Sequence, residues 1–344
     1  MARNNRENNF NLLRLVLASL VIVSHSPELL DGNRSREILT RTFGTLSFGE
    51  VAVDGFFLIS GYLIAGSYVG TNAVGRYLLK RVVRIVPGYA VAFLISGLCI
   101  APFVGGGVVW SAQGLGKLLP QMLTLLPPKV PGVFAGMPYP ALNGAMWTIR
   151  FEFECYLMTG ALGLMGLLRP RFRWAAAVVV GSLLLLNIVG AVHGGHEVHE
   201  SGLQELAKNL RFFTIFGVGT VYWLFRDSIS FRHAGAVVAA CVLTGGMLEY
   251  HLAEAVFAVC GGYLIFWFAF AVRPVHLGRL TRGDDISYGL YLYGWPVQIL
   301  IVWHFRTADP WLLCALSLMI AAALGYASWR LVEQPALRLA RGPG

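Results

Sequence analysis

Apolar runs long enough to cross a bilayer recur along nearly the whole chain. About 20 residues span a ~30 Å hydrocarbon core at 1.5 Å rise per residue. On that rule ten spans are legible, near 10–30, 49–68, 83–104, 143–168, 173–192, 209–225, 232–248, 253–272, 286–305 and 311–333. In hydrocarbon every backbone N–H and C=O must be bonded within its own segment, so such runs fold as helices. Hydrophobic residues make up 56% and charged ones 13%, with a mean hydropathy of +0.63, which excludes an ordinary soluble domain. The expected fold is an all-α, polytopic helical bundle in membrane lipid. It is expected to occupy 1–344 as a single membrane-embedded domain, with no appended soluble domain.

The net charge of +9 does not point to nucleic acid, because no compact basic module or basic-aromatic motif appears. Its distribution suits a membrane instead. With the N-terminus inside, the inner segments hold about twice as many Lys and Arg as the outer ones, so both termini are expected to be cytoplasmic. The five cysteines lie in apolar segments without metal spacing. The first span lacks a small-x-small cleavage site, and Arg14 interrupts it, so it reads as an uncleaved helix. Two outer loops stand out. One, 105–141, carries LLPQMLTLLP, too short to span and better seated at an interface; the other carries HGGHEVHES, whose HExH is not HExxH, so no metal is expected.

Charged groups inside a bilayer cost about 2.5–3.5 kcal/mol each even on lenient scales, so each one asks for a role. Arg14 and His25 lie eleven residues apart in LLRLVLASLVIVSHS. That spacing is roughly 20° beyond three full turns, so both face one way, about 16 Å apart along the helix axis. In EVAVDGFFLISGYLIAG, Asp54 matches His25 in depth. It either orients the imidazole through a hydrogen bond or simply sits at the interface, while Gly55 and Gly61 permit close helix approach.

In NGAMWTIRFEFECYL, Glu152 and Tyr156 share a face, and Arg150 can pair with Glu154. KRVVRIVPGY offers Arg81 and Arg84 at i, i+3, either to grip one anion or to anchor the inner end of the helix. DDISYGLYLYGWPVQIL presents Tyr288, Tyr291, Trp295 and Gln298. Such aromatic faces with polar tips suit carbohydrate, and equally suit an interface belt.

These pieces occur in a fixed order: Arg14 with His25, VDGFFLISGYLI, RVVRIVP, MWTIRFEFECYL, ISYGLYLYGWPVQ and VEQPAL. The series resembles the acyltransferase-3 family of integral membrane O-acyltransferases and covers nearly the whole chain. The MWTI-x-FEF-x-CYL form is most similar to bacterial members that acetylate exopolysaccharides or lipo-oligosaccharides, which implies a bacterial inner membrane. The resemblance implies that His25 is essential, Arg14 its partner, Glu152 the acidic position of the fourth span, and Arg81 with Arg84 the acyl-donor pair. Arg150 stands where the family often has proline or a small residue. The implied donor is acyl-CoA, most simply acetyl-CoA, with its phosphates near Arg81, Arg84 and Arg330. The implied acceptor is a carbohydrate, with Tyr156, Tyr288, Tyr291, Trp295 and Gln298 as candidate contacts. A flippase of an anionic substrate, succinyl transfer, or acylation of a small molecule such as a macrolide are the rival readings.

Overall fold

The computed structural model describes residues 8–71, 73–193, 202–272, 284–305 and 309–340. It is all-α. In chain order the helices are α1 (Phe10–Asp31), α2 (Ile38–Phe43), α3 (Phe48–Thr71), α4 (Val74–Leu94), α5 (Ala112–Leu123), α6 (Trp147–Leu164) and α7 (Arg173–His193). Then follow α8 (Gly202–Leu224), α9 (His233–Gly246), α10 (Tyr250–Val256), α11 (Gly262–Ala271), α12 (Ser287–Phe305), α13 (Pro310–Ser328) and α14 (Gln334–Leu339). Each of the ten expected ranges holds a helix among the described residues. Six helical segments are long and apolar enough to cross a membrane by length and composition: Phe10–Asp31, Phe48–Thr71, Val74–Val104, Pro170–Gly190, Tyr250–Ala271 and Pro310–Leu339. The chain is thus a polytopic membrane helical bundle.

Three of these segments contain a π-turn. A π-turn at Ile95–Ile100 follows α4, another at Phe257–Gly261 joins α10 to α11, and a third at Trp329–Glu333 joins α13 to α14. Helix α5, which contains most of LLPQMLTLLP, has only 12 residues and exposes Leu115, Leu119 and Leu123 at four-residue intervals. It is too short to span and carries an apolar stripe suited to a membrane surface.

The chain forms two compact units. One comprises Met1–Leu13, Thr42–Leu78 and Phe151–Arg279. Its centre is the α3–α8 pair, where a Cβ added at Gly61 would lie 2.0 Å from the Phe216 carbonyl oxygen, and one at Gly219 would lie 2.1 Å from that of Leu58. Only glycine lets these backbones meet, as in small-residue packing of membrane helices. Gly61 therefore does what its place in the sequence implied. At one end of this unit the Asn9 amide donates to the carbonyls of Phe268 and Val272, closing the last turn of α11. Phe10 beside it packs on Tyr62, Phe266 and Phe270.

The second unit comprises Arg14–Arg41, Leu79–Arg150 and Leu280–Gly344. Here α12 meets α13 at another glycine crossing, where a Cβ on Gly289 would fall 2.6 Å from the Gly325 Cα. Helix α12 also runs beside α1. Arg14 reaches Asp285 just before α12, Ile22 packs at Gly294, His25 faces Trp295, and Ser26 bonds Gln298. The partner number rises with the α1 number throughout, so the two helices are parallel.

Replacing Gly61 with valine is expected to cost at least the roughly 1–3 kcal/mol of an overpacked core. Gly70→Ala, where nothing lies within 4 Å of the added Cβ, should be silent. Thermal unfolding of the two variants in detergent checks this; equal midpoints would contradict the packing.

Candidate active site

The charged groups of the second unit are held in one chain of ion pairs. Arg14 Nη1 lies 3.1 Å from Asp285 Oδ2, and Arg84 Nη2 lies 2.5 Å from the same oxygen. Arg84 Nη1 then reaches Glu333 Oε2 at 3.3 Å, while Ser328 donates to Glu333 Oε1 at 3.1 Å. The Ser287 hydroxyl donates to Asp285 Oδ1. Arg84 also lies 5.7 Å from the ring centre of Tyr288 and 5.8 Å from that of Trp329. Two cations and two carboxylates alternate, so each desolvated charge has a partner, which such groups require. Burial raises the Asp285 carboxyl, but Arg84 and Arg14 outweigh that and hold it well below the usual carboxylate range.

This network revises the expected role of Arg84. Both of its terminal nitrogens are taken by carboxylates, so it is a tie between α4, α12 and the π-turn before α14 rather than an open phosphate clamp. Arg81, one turn earlier on α4, is half-buried. Arg330 is 46% exposed and bonds Asp284 at 3.2 Å and the Tyr326 hydroxyl at 3.1 Å. Trp329 Nε1 donates to the other Asp284 oxygen at 2.8 Å.

Arg14 and His25 do share a face, since both point at α12. The His25 ring meets the Trp295 indole edge-on, with centroids 4.9 Å apart, and its buried Nδ1 makes no hydrogen bond. The indole is fixed in turn by Trp295 Nε1 donating to the Ala141 carbonyl at 2.9 Å. Tyr139 sits edge-on to the same indole at 6.2 Å. The other aromatic and amide candidates on α12 spend their polar tips inside the fold. Tyr288 donates to the Ile85 carbonyl, Tyr291 bonds the Ala145 carbonyl and Thr148, and the Gln298 amide donates to the Ile22 carbonyl and Ser26. Those contacts bind α12 to its neighbours, so the two tyrosines and the Gln298 amide nitrogen position the helix, while Gln298 Oε1 is buried without a hydrogen bond.

Asp54 departs from the sequence expectation. In the first unit its Oδ1 accepts from Arg211 Nη2 at 2.8 Å, and Arg211 Nε reaches Glu254 at 2.6 Å. Its Oδ2 is buried without a hydrogen bond. A fully buried carboxylate needs a counter-ion, and Arg211 supplies it within the first unit. Glu152 keeps its expected i, i+4 partner, accepting from the Tyr156 hydroxyl, and also accepts from Ser60 at 3.3 Å. The Tyr156 carbonyl accepts from Tyr77 at 2.9 Å.

Sequence reasoning missed the roles of Asp285, Glu333 and Arg211, although DDISY and VEQPAL contain two of them. A charge balance across each end of the bundle would have flagged both carboxylates. Among the described residues no group of three or more His, Cys, Asp or Glu side chains converges. His196 and His199 lie outside those residues.

A family model described as an acyltransferase domain matches residues 7–330. The chain belongs to this acyltransferase family. An O-acetyl transferase of Shigella phage Sf6 is 26% identical over 96% of both chains. Nodulation protein 10 of Rhizobium leguminosarum bv. viciae is 28% identical over 96% of this chain and 94% of its own. Acyltransferase MdmB of Streptomyces mycarofaciens is 31% identical, over 36% of this chain and 30% of its own. No solved structure matches. Membership places acyltransferase activity on this membrane bundle.

Asp285→Asn should destabilise this acyltransferase by the roughly 3–5 kcal/mol that follows loss of one partner from a buried pair. Because the folded pKa of Asp285 is depressed, its contribution is present above the unfolded value near 4 and fades as pH falls below it. The wild type should therefore lose stability on acidification through that window, and the variant should lose less. Unfolding midpoints measured between pH 3 and 7 check this, and parallel curves would contradict it.

Proposed function

We propose that this protein moves an acetyl group from cytoplasmic acetyl-CoA to a hydroxyl of a cell-surface polysaccharide or lipid-linked oligosaccharide, with His25 as general base. The observation that carries the reading is the His25 imidazole. It stands about 16 Å along α1 from the Arg14 ion-pair network by helix rise, and its Nδ1 has no bond inside the fold. A half-buried imidazole held edge-on by an indole, with a ring nitrogen unspent, is a fitting acceptor for a substrate proton. The name of one relative matched along nearly its whole length, an O-acetyl transferase, supports transfer to oxygen.

In this reading His25 takes the proton of the acceptor hydroxyl as its oxygen attacks the thioester carbonyl. The new C–O bond forms, the C–S bond breaks, and the departing CoA thiolate recovers the proton from the imidazolium. Arg81 and Arg330 face the phosphates of the donor, while Arg84 and Arg14, tied by Asp285, hold the helices that carry the reacting groups. Glu152, with Tyr156 on its carboxylate, belongs to the first unit and takes no step in this reading. The parallel course of α1 and α12 is the one that the first and ninth of ten alternating spans require, and the cytoplasmic side is read from the Lys and Arg bias.

Purified protein in detergent should release CoA from acetyl-CoA only when a glycan acceptor is present. His25→Ala should cut that rate by 10²–10⁴-fold, the usual scale for a lost general base, with the unfolding midpoint unchanged. A variant that keeps more than about a tenth of the wild-type rate would overturn the assignment.

A further inference from the structure

A groove of about 420 Å³ lies in the second unit between two stretches of the long segment before α6. Pro127, Pro128 and Pro131 form one wall, and Pro140 through Gly144 form the other, with Lys129 among the lining residues. Its size is within the ~300–1,000 Å³ of small-molecule sites. The second wall is built directly on the indole that faces His25. The Ala141 carbonyl accepts from Trp295, and a Cβ on Gly144 would fall 2.6 Å from the same ring. Trp295 thus touches both the second wall of the groove and the imidazole.

Two features say what the groove would hold. Asn143 lines it, fully buried, and its amide nitrogen donates to the Leu292 carbonyl at 2.8 Å. That bond fixes the amide orientation, so the atom left without a hydrogen bond is Oδ1, an acceptor suited to a hydroxyl donor. The charge is the other feature. Between Asp54 and Glu152 the sequence contains no carboxylate at all, so Lys129, exposed at the groove, has no acidic neighbour in its own segment. An exposed ammonium attracts an anionic group. Rigid proline faces, one hydroxyl-accepting amide and one uncompensated ammonium together describe an anionic saccharide.

We propose that this groove is the acceptor subsite and that it selects a saccharide bearing an acidic group, its carboxylate or phosphate on Lys129 and a hydroxyl on Asn143. The proposal rests on the acetyl-transfer reading above. Its test compares a uronate-containing oligosaccharide with the same oligosaccharide after carboxyl reduction. Lys129→Glu, a change at an exposed position, should lower the acidic-to-neutral ratio of kcat/KM by at least tenfold, and Lys129→Ala by a smaller factor in the same direction. Lys117→Glu, on α5 in the same acid-free segment, should leave the ratio where it was. An unchanged ratio in Lys129→Glu, or an equal drop in Lys117→Glu, would overturn the subsite. Calorimetry of the acidic oligosaccharide on the intact protein without acetyl-CoA separates binding from chemistry. Binding that weakens in Lys129→Glu, with no acetyl transfer by wild type, would uphold the groove and reject the acetyl-transfer reading. No binding by wild type would reject the groove itself.

Discussion

Asp285 is shared by two arginines, and much of the second unit hangs on that arrangement. A cation in hydrocarbon is tolerated only when a carboxylate and hydrogen bonds replace its water. Arg14 belongs to α1, Arg84 to α4, Asp285 to the approach to α12, and Glu333 to the π-turn after α13. Four chain segments must therefore meet at one point, or buried charges are left unpaired. The π-turn at Trp329–Glu333 has a visible use here: it carries Glu333 to Arg84 while Trp329 and Arg330 both reach Asp284. Such turns inside helices often mark functional sites.

From that fixed point α1 and α12 run in parallel, and their contacts form a ladder that ends at His25 and Trp295. Gln298 closes it by donating to the Ile22 carbonyl and to Ser26. The ladder determines where the imidazole sits relative to the ion pairs, because neither helix can slide without breaking either the charged end or the Gln298 bonds. The Trp295 indole then carries the order outward to Ala141 and Gly144. Under the proposed function, a donor near the charged end and an acceptor in the proline-walled groove would be joined through rigid elements, as positioning of reactants requires.

Hydropathy was sufficient to place a helix at every expected range, because the bilayer forces backbone bonding into each segment. The shared face of Arg14 and His25 followed from helical geometry, and the pairing of Glu152 with Tyr156 from i, i+4 spacing. Long-range partners were not legible. Asp54 and His25 match in depth, yet depth says nothing of which helices are neighbours, and Arg211 lies 157 residues from the aspartate it serves. The aromatic residues of α12 looked like a sugar-binding face because composition cannot show that the Tyr288 and Tyr291 hydroxyls and the Gln298 amide nitrogen are bonded to nearby backbone and side-chain groups. The π-turns were equally hidden, since a one-residue shift in the hydrogen-bond ladder leaves hydropathy unchanged.

The central claim is that one bundle takes its acyl group on the face of Arg81 and delivers it from His25 to an acceptor on the opposite face. Proteoliposomes of known orientation test this directly, with labelled acetyl-CoA supplied only on the Arg81 side and saccharide only on the other. The account predicts labelled saccharide on the far side, with CoA released on the near side and no product from His25→Ala. Product formed only when both substrates share the Arg81 side would contradict it.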